Sequence, residues 1–368
     1  MTTRKGLLPM IIGILLMNVT TAQTTTSVPA RVAFVPTLST QGKADPQTSS
    51  NFSFNILGGI TGSVNGVEVG GLFNIDRKNV SGVQVGGLFN SVGGDVQGVQ
   101  VGGLFNTVNG GFRGVQVGGI TNFVRYEVEG LQVSGIYNHA GKKLTGMQVA
   151  GISNFARENV KGIQIAGIGN FSGRGSSALQ ISGIVNYAKH LRGLQIGLIN
   201  IADTSSGFSL GLINVVAKGY HKVAVYTNEV LNLNVAYKSG NPKLYNILLA
   251  GVNAGEDDKV FSYGYGLGHE IAIGNKVTIN PELTTQYMYL GNWHYTNLLT
   301  RFQLNASIKL SKGIAIFGGA AFSAYYTDQV NAVHGYKFKL PADNYHTYKL
   351  WNNNTTGWIG WQAGISFF

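Results

Sequence analysis

Three sets of residues in this chain could carry chemistry, and their spacing decides what each can do. The carboxylates Asp76, Asp95, Glu127, Glu129, Glu158 and Asp203 fall in a glycine-rich central tract, at differing offsets within its repeat. Glycoside cleavage needs two carboxylates held at a set separation across one bond. Unmatched offsets do not stack two of them together. The seven His residues are scattered without metal-ligand spacing, and the chain has no Cys. That excludes thiolate metal sites, a Cys nucleophile and a disulfide framework. Phrases such as GGDVQG lack the Lys and the following helix of a phosphate loop. No catalytic residue, no metal ligand and no cofactor is expected.

The second set is basic. Arg77, Lys78, Arg113, Arg125, Lys142, Lys143, Arg157 and Lys161 lie in the links between repeats, with Arg174, Lys189 and Arg192 beyond them. Stacked along one edge, they would form a stripe for lipopolysaccharide, polysaccharide or another anionic partner. As separate turn charges they would only discourage aggregation. Nucleic acid is not an expected partner, because no aromatic platform accompanies the charges.

The third set is asparagine. Asn74, Asn90, Asn106, Asn122, Asn138, Asn154, Asn170 and Asn186 recur every sixteen residues, and Asn200 and Asn214 follow at intervals of fourteen. Each closes a phrase such as GVQVGGLFN (82–90) or GLQIGLIN (193–200). A degenerate leading copy, NILGGITG at 55–62, puts Gly62 where Asn is due. Asn is costly to bury unpaired, so its recurrence asks for a structure that satisfies it. In a β-solenoid each repeat is one coil, identical residues stack about 4.8 Å apart, and an amide bonds to its copies above and below.

A one-residue bulge at Gly86-Gly87 would place Val83, Val85, Leu88, Asn90 and Val92 on one face, with Gln84 and its copies on the opposite one. Val64, Val80, Val96 and their counterparts add a second apolar column. The tract therefore reads as a solenoid over 54–217, about ten coils of 14–16 residues. The alternative is one large up-and-down barrel or sheet, but the links are too uniform for alternating short turns and long loops.

After Ala217 the grammar changes to long alternating segments. At 277–289, Val277, Ile279, Leu283, Tyr287 and Tyr289 oppose Thr278, Asn280, Glu282, Thr284 and Gln286. Strands also fit 230–237, 245–254, 261–273, 298–310, 314–326 and 359–367, with an eighth at 221–227 or 331–340. Residues 327–357 make one long loop. Strands of this length, apolar on one face and small or polar on the other, match a small antiparallel membrane barrel of about eight strands over 218–368. Its interior would be filled by side chains. Glu270, Glu282, Arg301 and Lys309 would pair in the lumen.

Arg4 and Lys5, the apolar run Leu7 to Met17 and the small residues up to Ala22 read as a secretory signal peptide over 1–22. Residues 23–53 then form a linker. The net charge of +11 fits a surface that meets anionic polymers.

The phrase G-[LV]-Q-[IV]-G-L-[IF]-N, cleanest at 193–200, resembles the bacterial surface-repeat family built from that unit. The ending GWIGWQAGISFF (357–368) is similar to the terminal strand of Gram-negative outer-membrane barrels, which the barrel-assembly machinery recognises through a final aromatic. Here Phe367 continues the apolar face and Phe368 falls on the other. The two resemblances imply an exported protein of the outer membrane, in contact with its lipid. The expected function is non-enzymatic: a structural, adhesive or ligand-presenting repeat surface anchored by a barrel. A porin-like channel and a soluble secreted glycan-binding solenoid are the alternatives.

Overall fold

The computed structural model describes residues 26–176, 179–341, 345–350 and 354–368. The signal-peptide stretch 1–22 lies outside them. The fold is all-β, a solenoid of about ten turns followed by a closed eight-stranded antiparallel barrel. The chain is not one large barrel.

Each repeat is one solenoid coil. In the coil that carries GVQVGGLFN, Val80–Gly86 and Phe89–Val92 are strands, Gly87-Leu88 is the corner, and 93–95 closes the circuit. Strands pair in parallel and in register with their copies, Gln84 beside Glu68 and Gln100, and Asn90 beside Asn74 and Asn106.

The facing differs from the expectation. Val80, Gln84, Gly86, Asn90 and Val92 are buried, whereas Val83 and Leu88 are exposed and Val85 and Phe89 half-buried on the outside. No bulge is present at Gly86-Gly87. At the corner the chain changes wall, and the phase of the alternation resets there. The fourteen-residue copies have a corner one residue shorter, yet Gln195 and Asn200 still point inward.

An interior lined with amides is stable because every amide is matched. Asn74 Nδ2 donates to Asn90 Oδ1 at 2.8 Å, and the bond repeats coil by coil to Asn214. The second Asn74 N–H goes to the Val85 carbonyl at 2.8 Å. The glutamines run the other way: Gln100 Nε2 donates back to Gln84 Oε1 at 2.8 Å, and so on through Gln195. Opposed rows offset each other's dipoles. Between them, Val64, Val80, Val92, Val96, Phe112 and their counterparts form the apolar part of the core.

A charged group ends each row with the right polarity. Arg31, a pure donor, gives Nη1 to Asn55 Oδ1 at 2.6 Å, and Asn55 Nδ2 continues to Asn74 at 2.8 Å. Glu68, a pure acceptor, receives Gln84 Nε2 at 2.8 Å. Gly59, not Gly62, stands opposite Asn74. The Asn55 side chain reaches into the room that Gly59 leaves.

Within the expected linker, residues 26–53 fold onto the solenoid. Ser27–Val35 pairs in parallel with Ser49–Asn55, and Arg31 makes a buried ion pair with Asp45 at 2.8 Å. This segment covers the first coil and protects an otherwise open sheet edge.

From Gly66 to Gly162 the leading glycine of the phrase has a conformational cause, a positive φ in each copy. Gly82 has φ +125°, and a Cβ there would meet the Gly66 carbonyl oxygen at 2.0 Å. No side chain fits that bend between stacked coils.

One interior carboxylate is mismatched. Asp76 occupies the column that Val92 and Val108 continue, accepts from Gln84 Nε2, and leaves Oδ1 without a partner. Burial first, and then the neighbouring Glu68, push its pKa well above the usual carboxylate range. A carboxyl whose folded pKa is raised contributes most at acid pH, and stability falls as pH rises from the unfolded value through the folded one. Asp76→Asn is therefore expected to stabilise the solenoid at neutral pH, on the order of 1 kcal/mol. Urea unfolding at pH 4 and pH 7.5 checks this, the gain over wild type being larger at pH 7.5.

The barrel strands are β1 Tyr220–Asn228, β2 Leu233–Asn241, β3 Leu244–Val252, β4 Phe261–Gly268, β5 Val277–Tyr289, β6 Asn297–Lys309, β7 Ile314–Thr327 and β8 Thr355–Phe367. Neighbours in sequence pair antiparallel, and β8 closes on β1 with Phe367 beside Val223. The eighth strand is the one over 220–228; residues 331–340 form no strand. The long connection, 328–354, carries the short strand Thr347–Lys349 against β8.

Alternation along each strand sends Leu283, Phe302, Leu304, Ile359 and Ile365 outward. Trp358, Arg301, Tyr245, Met288 and Leu299 are fully buried and fill the lumen. At the solenoid end a cavity of only 10 Å³ remains among Tyr220, Lys222, Lys238, Asn280 and Phe317.

The last coil is seated on the outer wall of the barrel. Ser239 Oγ donates to the Asn214 carbonyl at 2.6 Å, Asn246 Oδ1 accepts from Asn214 N at 3.3 Å, and Tyr265 Oη donates to the Gly211 carbonyl at 2.7 Å. Side chains thus satisfy backbone groups that a final coil would leave open.

Candidate anion-binding edge

The solenoid turns stack because the strands between them are in register, and this gathers residues sixteen apart. Arg77, Lys78, Arg113, Arg125, Lys142, Lys143, Arg157 and Lys161 are all exposed along this edge. They are not equivalent. Glu129 accepts Arg113 at 2.9 Å and lies 3.6 Å from Lys143. The hydrogen bond from Arg113 chiefly holds the Glu129 carboxyl below the ordinary value. Those two cations are already engaged.

A different group converges. Arg125, Tyr126, Lys142, Arg157, Glu158 and Arg174 line a depression of 430 Å³ across four successive turns. Lys142 Nζ sits 4.5 Å from the Tyr126 ring centroid, and Arg174 lies 3.7 Å from Glu158. Four cations against one carboxylate leave a net positive field in a concave surface, which concentrates anions. Two further depressions flank it. One is mixed in charge, with Asp95, Glu127 and Glu129 beside Arg113 and Lys142, and the other holds Lys161, Arg174, His190 and Arg192.

On the neighbouring wall, His139 stacks between Phe123 at 4.4 Å and Phe155 at 5.1 Å. Burial, and then Arg157, lower its pKa. This leaves the ring neutral near physiological pH, so it adds no charge to the edge.

The four charged residues expected to pair in the barrel lumen do not pair with one another. Glu282 binds Lys238 and accepts Tyr245 Oη at 2.7 Å, Glu270 binds Lys222, and Arg301 meets Glu229 at 2.8 Å with both side chains fully buried. Lys309 Nζ lies 5.4 Å from the Phe368 ring, which also faces Lys222 at 4.5 Å. The missed partners had partial signals. Lys222 and Lys238 share the inward parity of their strands, but Glu229 follows β1 and folds back in, which no alternation indicates. Among the described residues, no three His, Asp or Glu side chains are grouped as metal ligands.

No family model, no curated protein and no solved structure matches this chain.

Proposed function

We propose that the protein is a non-enzymatic outer-membrane protein in which a filled eight-stranded barrel anchors a repetitive surface that binds an anionic cell-envelope polymer. One observation carries the reading: the barrel buries charged and polar groups inside and turns Leu, Ile, Phe and Trp outward, the reverse of a soluble protein. Tyr263, Tyr287, Tyr289 and Trp293 cluster at the end away from the solenoid, as an interfacial girdle would. At its solenoid end the lumen is filled down to a cavity of about 10 Å³, room for about one water, which argues against a porin-like channel.

Eight strands bring both ends of the barrel to one side. There the hairpins over 242–243 and 310–313 are short and the link 269–276 folds Ile271–Ile273 back onto β5, while 229–232, 253–260, 290–296 and the longest connection, 328–354, lie at the other end. Outer-membrane barrels keep short turns at the periplasm, so the solenoid belongs there. Its groove over Arg125, Lys142, Arg157 and Arg174 then faces the carboxylate-bearing polysaccharide of the wall.

Carbonate or urea washing of membranes tests the anchor, since full release into the soluble fraction contradicts it. An amine-reactive, membrane-impermeant reagent should leave Lys142 and Lys143 unmodified in intact cells and modify both after permeabilisation. Purified wall sacculi should retain the protein at low salt and lose it steeply between about 50 and 300 mM, because the contact is electrostatic. The triple variant Arg125→Glu, Lys142→Glu, Arg157→Glu should bind at least about tenfold more weakly. Unchanged binding would remove the groove from the proposal.

A further inference from the structure

The solenoid exterior is divided lengthwise. Val83, Val85 and Leu88 with their copies make one apolar flank, which the Phe89 column widens except at Thr121, Ser153 and Gly169, and the turns and the Ser81 column make a polar one. Every residue of the corner column from Leu72 to Leu212 is Leu or Ile, and each is about two-fifths exposed or more. Phe73, Phe89 and Phe105 stack at 5.3 and 4.8 Å beside it. Soluble proteins rarely leave an apolar strip running the length of a domain, about 50 Å at the coil spacing.

The seating on the barrel says where this strip points. Gly211, next to the corner residue Leu212, accepts from Tyr265 Oη. Tyr265 faces outward from β4, opposite Leu248 and inside the apolar belt. On the other side of the same coil, Gly207 accepts from Asn241 at 2.7 Å and Ser206 from Lys243 at 3.0 Å. Asn241 and Lys243 lie at the β2–β3 hairpin, the extreme end of the barrel. The apolar corner is therefore turned towards the belt and the charged turns towards the aqueous end. Since the coils stack in register, the whole flank continues that orientation.

We infer that the apolar flank of the solenoid lies in the leaflet of phospholipid that surrounds the barrel, so that the repeat domain runs along the membrane instead of projecting from it. This rests on the reading of the barrel as a membrane anchor. The solenoid then behaves as an amphipathic helix does at an interface, with apolar residues in the acyl boundary and its polar flank in water. It also holds the basic groove just off the membrane surface.

The chain has no Cys, so single cysteines can be placed without background. Ile136→Cys and Ile168→Cys sample the flank, Asn109→Cys a turn, and Leu304→Cys the barrel belt. Each full-length variant, labelled with an environment-sensitive fluorophore, is reconstituted into phosphatidylethanolamine–phosphatidylglycerol vesicles with doxyl-labelled phospholipid. The flank labels should be quenched at least about half as strongly as the belt label, and the turn label should not be quenched. Quenching of the belt label alone overturns the inference, whether the flank labels read as wet or as shielded by a second copy. A belt label that is not quenched removes the anchor, and the inference with it.

Discussion

Replacing Arg301 by Met should cost the barrel about 3–5 kcal/mol, the usual effect of stranding one half of a buried ion pair. Glu229 leaves the end of β1 and enters the lumen, where it ties together the strands on both sides of the closing seam. It accepts from Arg301 Nη2 on β6 at 2.8 Å, Ser323 Oγ on β7 at 3.2 Å, and Trp358 Nε1 and Trp361 N on β8 at 3.0 Å each. Without Arg301 its charge stays in a place that water does not reach. The double variant Glu229→Gln, Arg301→Met should recover most of the loss, since the amide keeps hydrogen bonds and no unpaired charge remains. Urea titration of the reconstituted barrel, followed by the gel mobility of folded and unfolded forms, reads both. Equal stability of wild type and Arg301→Met would show that the pair is not what closes the seam.

Asn122→Ala should destabilise the solenoid by about 3–9 kcal/mol, from three interior groups left unmatched at about 1–3 kcal/mol each. Asn106 Nδ2 loses its acceptor at 2.9 Å, Asn138 Oδ1 its donor at 2.9 Å, and the Val133 carbonyl its donor at 2.7 Å. Repeat stability is carried by nearest-neighbour coupling, so a break in mid-row should divide unfolding into two steps. Val115→Thr, on the outside of an adjacent wall, should change stability by less than about 0.5 kcal/mol in detergent. Hydrogen exchange or stepwise urea unfolding distinguishes the two variants. A small effect for Asn122→Ala and a large one for Val115→Thr would reverse the assignment of inside and outside.

The contrast between these two positions marks the limit of reading this chain as a string. The period of sixteen is determined by the sequence, because in-register stacking repeats whatever residue stands at each step. From that follow the solenoid, the Asn row and a turn edge that collects Arg125, Arg157 and Lys142. The eight barrel strands follow from simple alternation, since each runs straight through the wall, and Glu282 and Arg301 are correctly turned inward by parity alone.

Facing within the coil was decided by tertiary structure. Alternation holds along one wall, but the corner at Gly87-Leu88 breaks the count. An isolated strand cannot reveal that buried Gln84 and Asn90 find their partners in neighbouring coils, while Val83 is left outside. The same holds for Glu229, whose role depends on strands far along the chain, and for Arg31, whose guanidinium ends a row that begins beyond Asn55. The seating of the last coil on Ser239, Asn246 and Tyr265 was equally invisible, because it joins two patterns that share no period. Local spacing dictates what repeats along one element. Which face is solvent, and which charges meet, depends on groups brought together only when the walls close.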